Sequence, residues 1–469
     1  MARRREPRMI EVNIVDIGNK GAAIGKTDAG EVVLVQDAVP GDRVMANLLR
    51  KKKGLWNGYV HEIISESPDR VVPECQHFEE CGGCKWQHLS YAKQIALKEK
   101  GVYDAMQRLG DLTIGEKRPI LGCEEIYYYR NKLEYSFSNK RWITDAEKDI
   151  DKESIEWRGL GFHRPGKFDR VLHLSHCHLQ PSPSNEIRNY IHDRALELDL
   201  TYYDAVKKIG FLRNMIVRTT ESGDLMVVLI VSQNDETVIE TLLSGLKAEF
   251  PIITSLMYVI NNKANDTIYD LPVHVYSGSS TIVETLRDKK YYVGPKSFFQ
   301  TNTKQATRLY DIVVEFAEFK EDEVVYDLYS GLGSIALYAA DRVGKMIGVE
   351  EVEEAVELAH RNIELNHADN CYFYCGDVRK VLNTEFVAKN GAPDTIIVDP
   401  PRAGLHADVV HFIGQLSPNK IVYVSCNPAT QARDMALWKD DYDCVKMQPV
   451  DMFPHTSHVE NVALLIKKT

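Results

Sequence analysis

Across its 469 residues the chain has no apolar run that approaches the roughly 18 residues a membrane-spanning helix needs. The basic start, MARRREPRMIEVN, has no apolar segment behind it of the kind that makes a secretory leader. A cytoplasmic protein with no membrane partner is expected. Cysteine is sparse, nine residues in all, and in a chain of this size that excludes a disulfide scaffold. Positive charge is also short: 57 Lys and Arg stand against 68 Asp and Glu, for a net charge of −11. At face value that counts against a nucleic-acid partner, because phosphate binding needs cations. There is no internal repeat and no long low-complexity tract.

What is present changes the balance. With 44% hydrophobic and 27% charged residues the composition is globular, and the length calls for two or three domains. The cations are placed unevenly. They gather at Arg3, Arg4, Arg5 and Arg8, in Arg50-Lys51-Lys52-Lys53, and at Arg130 and Lys132, while acids crowd later stretches such as EEVEEAVE. Any one basic run reads as a solvated face, but their common location in the first third suggests an acidic partner.

Residues 1–66 hold short strand-like runs (IEVNIVDIG, GAAIGKT, EVVLVQD, DRVMANLL) and the turn Val39-Pro40-Gly41-Asp42, which predict a small closed β-barrel. Barrels of the OB type often bind single-stranded nucleic acid, and the Arg50–Lys53 run followed by Trp56 and Tyr59 supplies charge with aromatic platforms. A plain barrel with core aromatics is the alternative. Residues 67–285 read as a mixed α+β region, with DAEKDIDKESIEWRG as a polar surface insertion. Residues 286–469 alternate strands and helices, which predicts a Rossmann-like sheet with ligands outside the carboxyl ends of its strands.

The chemically loaded residues stand at those ends. After VVYDLY comes Ser330-Gly331-Leu332-Gly333-Ser334 and then a helix, so a ligand can approach the backbone. Glu350 closes the next strand, where a carboxylate accepts hydrogen bonds from ribose hydroxyls, and Asp377 closes the third, where it could meet an adenine edge. Asp399-Pro400-Pro401-Arg402 ends the fourth strand in a stiff loop. A strand-end cap explains any one of these acids, but poorly explains four in succession. Cys426 ends the fifth strand in IVYVSCNP. A lone cysteine there is usually a small buried hydrophobe. A thiolate adding to uracil C6, however, makes C5 nucleophilic enough to take a methyl group, and the adduct must then lose its C5 proton to a base. Glu460 in DMFPHTSHVENVALLI is the candidate, with His455 and His458 weaker.

These residues carry a resemblance over nearly the whole chain. YRNK at Tyr129–Lys132, FFQTN at Phe298–Asn302, DLYSGLGS, DPPR, SCNP and HVEN together resemble the RNA uracil-5 methyltransferases, in particular the bacterial 23S rRNA members. The resemblance implies a TRAM-type barrel in front of an S-adenosylmethionine-dependent methyltransferase domain. It implies Cys426 as nucleophile and Glu460 as proton acceptor. Gln300, Tyr329, Ser334, Glu350, Asp377 and Asp399 would surround cofactor and base, with Phe298 near the flipped uracil and Arg130 and Lys132 toward RNA. Two positions depart from the family pattern: Ser330 stands where Cys is common, and Ser334, with its shorter reach toward the cofactor, where Asn or Thr is.

Cys75, Cys81 and Cys84 put three thiolates on one loop, and Cys177 offers a fourth. Four sulfurs suit zinc or an iron–sulfur cluster equally on ligand count. The resemblance implies a structural 4Fe–4S cluster, and with it 23S rRNA over tRNA, as substrate of a monomer. An exocyclic amino-methyltransferase would use DPPR without needing Cys426 or Glu460. An inactive RNA-binding module is the other competing class.

Overall fold

In the computed structural model the described residues are 8–18, 21–52 and 54–469; the cations expected at Arg3, Arg4, Arg5 and Lys53 lie outside them. The chain forms two compact units, Met1–Lys100 with Phe453–His458, and Gly101–Met452 with Val459–Thr469.

In the first unit, β1 (Arg8–Ile17), β2 (Ala23–Lys26), β3 (Val32–Gln36), β4 (Arg43–Lys52) and β5 (Leu55–Ser65) close a barrel in the order β1-β2-β3-β5-β4. Strand alternation turns Val12 and Ile14, Val33 and Val35, and Val44, Ala46 and Leu48 into one apolar core. The expected Val39–Asp42 turn is fastened by Asp42, whose carboxylate accepts from the Val39 and Ser67 N–H groups at 2.8 and 2.9 Å and pairs with Arg70 at 2.6 Å. The fifth strand was not anticipated. Its pairing with β4 shifts register between Arg43 and Val44, Met45 and Ala46, and Leu48 and Arg50, which breaks the simple alternation a sequence displays. The cysteine loop follows, and then α1 (Tyr91–Gly110), which begins in the first unit and ends in the second.

The second unit has two large sheets. Its chain continues through β6 (Ile114–Lys117), β7 (Lys132–Ser138), β8 (Gly159–His163), β9 (Val171–His173), α2 (Ser184–Glu197), β10 (Leu212–Thr219), β11 (Leu225–Val231), α3 (Glu236–Glu249), β12 (Ser255–Ile260) and β13 (His274–Gly278). Strands β7 to β13 form a seven-stranded sheet, β13-β12-β11-β10-β7-β8-β9. The polar insertion leaves between β7 and β8 with one short 3-10 turn, Asp145–Glu147. A hairpin of β14 (Ile282–Leu286) and β15 (Lys289–Val293) leads into α4 (Thr303–Ala317).

The alternating part then unfolds as expected: β16 (Val324–Leu328), α5 (Ser334–Ala339), β17 (Lys345–Glu350), α6 (Glu353–Asn366), β18 (Cys371–Cys375), α7 (Val378–Val381), α8 (Thr384–Asn390), β19 (Thr395–Val398), α9 (Ala407–Leu416), β20 (Lys420–Ser425), α10 (Pro428–Ala436), β21 (Tyr442–Val450) and β22 (Glu460–Lys467). The sheet order is β18-β17-β16-β19-β20-β22-β21-β6. Five strands are parallel, and β22 runs antiparallel to β20. Strand β6, from within the stretch expected to be central, pairs with β21 at this sheet's edge. Both faces are buried, so Val325, Tyr326, Ile347, Ile397 and Val422 are fully covered and the strands read as continuous apolar runs. Among the described residues no helix is long and apolar enough to cross a membrane.

Candidate active site

Register alone gathers the site. Leu328 is level with Val349 and Val398, so Tyr329, Glu350 and Asp399 leave the sheet side by side. Glu350 is level with Cys375, which brings Asp377 just beyond the same edge. Because β22 is antiparallel, the pairing Ser425↔Asn461 sets its first residue, Glu460, beside Cys426 at the end of β20. A parallel neighbour would have put the glutamate at the opposite edge of the sheet.

The glycine loop has the shape a ligand needs. Gly331 has φ +57° with open space where a side chain would stand, and Gly333 has φ +83° with a Cβ position only 2.5 Å from Phe373. Tyr329 adopts φ +66° without being glycine, a strained conformation worth about 1–3 kcal/mol that the surrounding packing must hold. Its half-buried hydroxyl is pushed up to about 12 by burial and then by the Asp377 charge. The Glu350 carboxylate accepts from the N–H groups of Gly331 and Glu351 at 2.9 Å and of Val352 at 3.0 Å, which ties the strand end to the loop. A carboxylate has about four acceptor positions, so one remains for a hydroxyl. Ser334 Oγ is engaged by the Tyr310 hydroxyl at 2.9 Å. Asp377 caps α7 by accepting from Arg379 N at 3.0 Å and pairs with the Arg379 guanidinium, which holds its carboxyl down at about 2.

Three carboxyls gather here, Asp327 and Glu460 buried and Asp399 half-buried. Asp399 is pushed up to about 7 by burial, and Glu460, 3% exposed, is raised further by burial and then by the Asp399 charge. Glu460 Oε2 is buried with no hydrogen-bond partner. The third, Asp327, carried no role in the sequence reading. Its Oδ2 accepts from Ala336 N at 3.2 Å, its buried Oδ1 has no partner, and burial followed by Asp399 raises it strongly. The signal was an acid inside the apolar strand VVYDL. Two buried acceptors without partners beside Asp399 favour a cationic ligand, so these residues fit a sulfonium donor.

Cys426 is half-buried, and its thiol is pushed up to about 11 by burial and by the charges of Glu460 and Asp399. Arg402 opposes them through its charge and a hydrogen bond to the sulfur. This is a second residue whose role needed geometry, although DPPR was visible. Asn427 Nδ2 donates to Arg402 O at 2.9 Å and Asn427 N donates to Ser425 Oγ at 3.1 Å, so the loops after β19 and β20 are stitched together.

Gln300 is buried, and its carbonyl accepts from Asn131 Nδ2 at 2.9 Å. Phe298, two residues earlier, is 72% exposed. Arg130 lines a cavity of about 620 Å³ with Tyr128, Asn302 and Arg308. Lys132 stands opposite Arg218 across the β7–β10 ladder. The weaker candidates take other places in the first unit: buried His455 meets Gln94 at 3.2 Å, and exposed His458 lies edge-on to Phe453.

Cys75, Cys81 and Cys84 belong to the first unit, and Cys177, which is buried, belongs to the second. Among the described residues no three His, Cys, Asp or Glu side chains form a group that could hold a metal ion, so a preassembled centre on these cysteines is not found. The loop chemistry does suit bound thiolates. Gly83 N points at Cys81 Sγ at 3.4 Å, and the Cys75 sulfur, whose thiol burial raises, receives the N–H groups of His77 and Phe78.

A family model described as tRNA (uracil-5-)-methyltransferase matches residues 218–468. An RNA methyltransferase of Porphyromonas gingivalis is 47% identical over 98% of this chain and all of its own length. One of Bacteroides thetaiotaomicron is 47% identical over 95% of this chain and 99% of its own. Among solved structures, the Pyrococcus abyssi tRNA (uracil-54, C5)-methyltransferase in complex with S-adenosyl-L-homocysteine superposes with a TM-score of 0.76. It is 28% identical and covers 97% of this chain and 100% of its own.

Proposed function

The chain belongs to the RNA (uracil-5-)-methyltransferase family and is an S-adenosylmethionine-dependent RNA methyltransferase, and from that premise we propose that it methylates uracil C5 through a covalent adduct on Cys426. The observation that carries the adduct is the antiparallel pairing of β20 and β22, which sets a thiol beside a buried glutamate at the mouth of the cofactor loop. The donor supplies a methyl group on a positively charged sulfur. Gly331 and Gly333 would admit it to the backbone, Glu350 would accept from its ribose, Asp377 would stand at its adenine end, and Gln300, Tyr329 and Ser334 would close the pocket.

Arg402 offsets the charge of the Cys426 thiolate as sulfur bonds to C6 and electron density moves to C5 and O4. After C5 has taken the methyl group, Glu460 accepts the C5 proton, the C5=C6 double bond reforms, and sulfur leaves as thiolate. The strand-end position requires the uridine to leave its stack, at a few kcal/mol, with Phe298 exposed to fill or support the gap. An exocyclic amino-methyltransferase would have no use for this thiol–carboxylate pair.

The substrate proposed is 23S rRNA, read by a monomer in the cytoplasm through a TRAM-like barrel over residues 1–66, a central domain over 67–285 and a methyltransferase domain over 286–469. A tRNA substrate is the second reading, favoured by the likeness to the Pyrococcus enzyme along its full length. Mapping 5-methyluridine in the rRNA and tRNA of a deletion strain decides: loss from 23S rRNA is expected, and loss from tRNA alone replaces it.

The loop thiols, with Cys177 as the fourth ligand that the resemblance implies, are proposed to hold a structural 4Fe–4S cluster. It would supply cross-linking and no step of the reaction. Anaerobically purified protein should contain iron and acid-labile sulfide that Cys81→Ser removes. Stoichiometric zinc without iron overturns this.

A further inference from the structure

Outside the cofactor pocket, two cations share one position of the seven-stranded sheet. Lys132 and Arg218 are directly opposed across the antiparallel β7–β10 ladder, where like charges destabilise the pair. Neither makes an ion pair among the described residues. Arg218 is 3% exposed, donates through Nη2 only to the carbonyl of Ser297, and leaves Nε buried without an acceptor. Lys132 is half-buried, and its ammonium is pushed down to about 8 by burial and then by Arg218. Glu134 and Glu284 act on Arg218 only through their fields. An uncompensated buried charge is costly, and an anion from outside would offset that cost here.

Two exposed aromatic residues are linked to it. Arg218 holds the carbonyl of the residue preceding Phe298, and the hydroxyl of Tyr269 acts electrostatically on the same guanidinium. Tyr269 is 67% exposed. It is no accident of a loose loop, because buried Arg213 donates to the carbonyls of Asn261, Lys263 and Asn265 at 2.6–2.9 Å and pins the segment that carries it. Cations together with exposed aromatic rings are what single-stranded RNA binds, phosphate on the charge and base on the ring.

We infer that Lys132, backed by Arg218, seats a backbone phosphate of single-stranded RNA and that Tyr269 stacks a neighbouring base, which makes this face a docking strip leading to the Phe298 loop. The inference rests on RNA being the substrate, and it assigns a role to two residues, Arg218 and Tyr269, outside the reaction itself.

The test is binding of a labelled uridine-rich single-stranded RNA by the full chain across a salt series, with S-adenosylhomocysteine calorimetry on each variant. Lys132→Gln should weaken binding and reduce the slope of log K against log salt by about 0.7, the loss of one phosphate contact, and Lys132→Arg should restore it. Tyr269→Ala should weaken binding about tenfold with the slope unchanged. Cofactor affinity should stay at the wild-type value in all three. An unchanged slope in Lys132→Gln overturns the proposal, and so does a loss of cofactor affinity there, which would assign the cations to the cofactor's carboxylate. Binding is read without turnover, so failure of the uracil-methylation reading appears separately, as wild-type protein that binds RNA and yields no 5-methyluridine.

Discussion

The strands of the barrel carry their charges in solvent, whereas the C-terminal sheet buries its decisive acids wholly or in part. On the barrel, Arg8 and Lys51 lie 5.0 and 5.2 Å from the ring of Trp56, and Arg43 pairs with Glu11 in solvent. At the strand ends, Asp327, Asp399 and Glu460 are raised by burial, and two of them keep an oxygen with no partner. Solvated charges are screened and individually worth about 1 kcal/mol or less, whereas a buried unpaired acceptor costs about 1–3 kcal/mol that a bound ligand can offset. The first region should therefore tune affinity and the second should decide chemistry.

The largest effect should come from the buried pair. Cys426→Ala should abolish methyl transfer and form no adduct. Glu460→Gln should retain methyl transfer once and then accumulate a methylated protein–RNA adduct, since it acts after the thiol. RNA carrying 5-fluorouridine should trap the wild type, because fluorine cannot be removed as a cation. Denaturing electrophoresis with peptide mapping reads all three. An adduct that persists in Cys426→Ala gives the nucleophile's role to another residue.

Acidity gives the next largest effect. With the Cys426 thiol at about 11, thiolate is scarce at neutral pH and increases about tenfold per pH unit below that value. The single-turnover rate of adduct formation should therefore climb between about pH 7 and 9 without levelling. Arg402→Gln removes a group that lowers the thiol by charge and hydrogen bond, so the curve should move to higher pH. A plateau already reached near neutrality would mean that bound RNA and cofactor, rather than Arg402, set the thiolate.

Much of this was legible because parallel sheets place ligands at carboxyl ends, and the motifs there mark those ends by local spacing. Glu350, Asp399 and Cys426 needed only strand order. Glu460 could be named as an acid before an apolar strand, but its meeting with Cys426 depends on β22 being antiparallel, which no local pattern states. Asp327 and Arg402 sat inside quoted motifs without roles, since burial and a hydrogen bond to sulfur are tertiary facts. Strand β5 was missed because Gly58 and three register shifts interrupt its alternation, and β6 because its partner β21 is remote in sequence. Lys132 was visible as a cation of YRNK, yet its significance comes from Arg218 across the ladder.

A smaller effect separates ligand binding from the strand-end frame. Glu350→Ala should weaken S-adenosylhomocysteine binding roughly 10- to 100-fold, the worth of charge-assisted hydrogen bonds. RNA affinity should change little. Glu350→Gln keeps the side chain's shape and one acceptor, so it should recover part of the loss. If calorimetry shows wild-type affinity in Glu350→Ala, the carboxylate serves only Gly331, Glu351 and Val352.

The smallest effect belongs to the barrel. Lys51 is exposed and opposite Trp56 in the β4–β5 ladder, where its ammonium and the guanidinium of Arg8 share the ring. If this surface meets RNA, each cation replaces one condensed counterion, so Lys51→Gln should flatten the salt dependence by about 0.7 in slope and weaken binding only a few-fold at moderate salt. Catalysis on RNA already bound should be untouched, because an exposed, salt-screened charge contributes to docking and takes no part in the thiol–carboxylate chemistry. The rate of a single turnover at saturating RNA is therefore the control. A drop in that rate with an unchanged salt slope would reverse the division of labour, making the barrel part of the reaction's geometry and not a surface for phosphate.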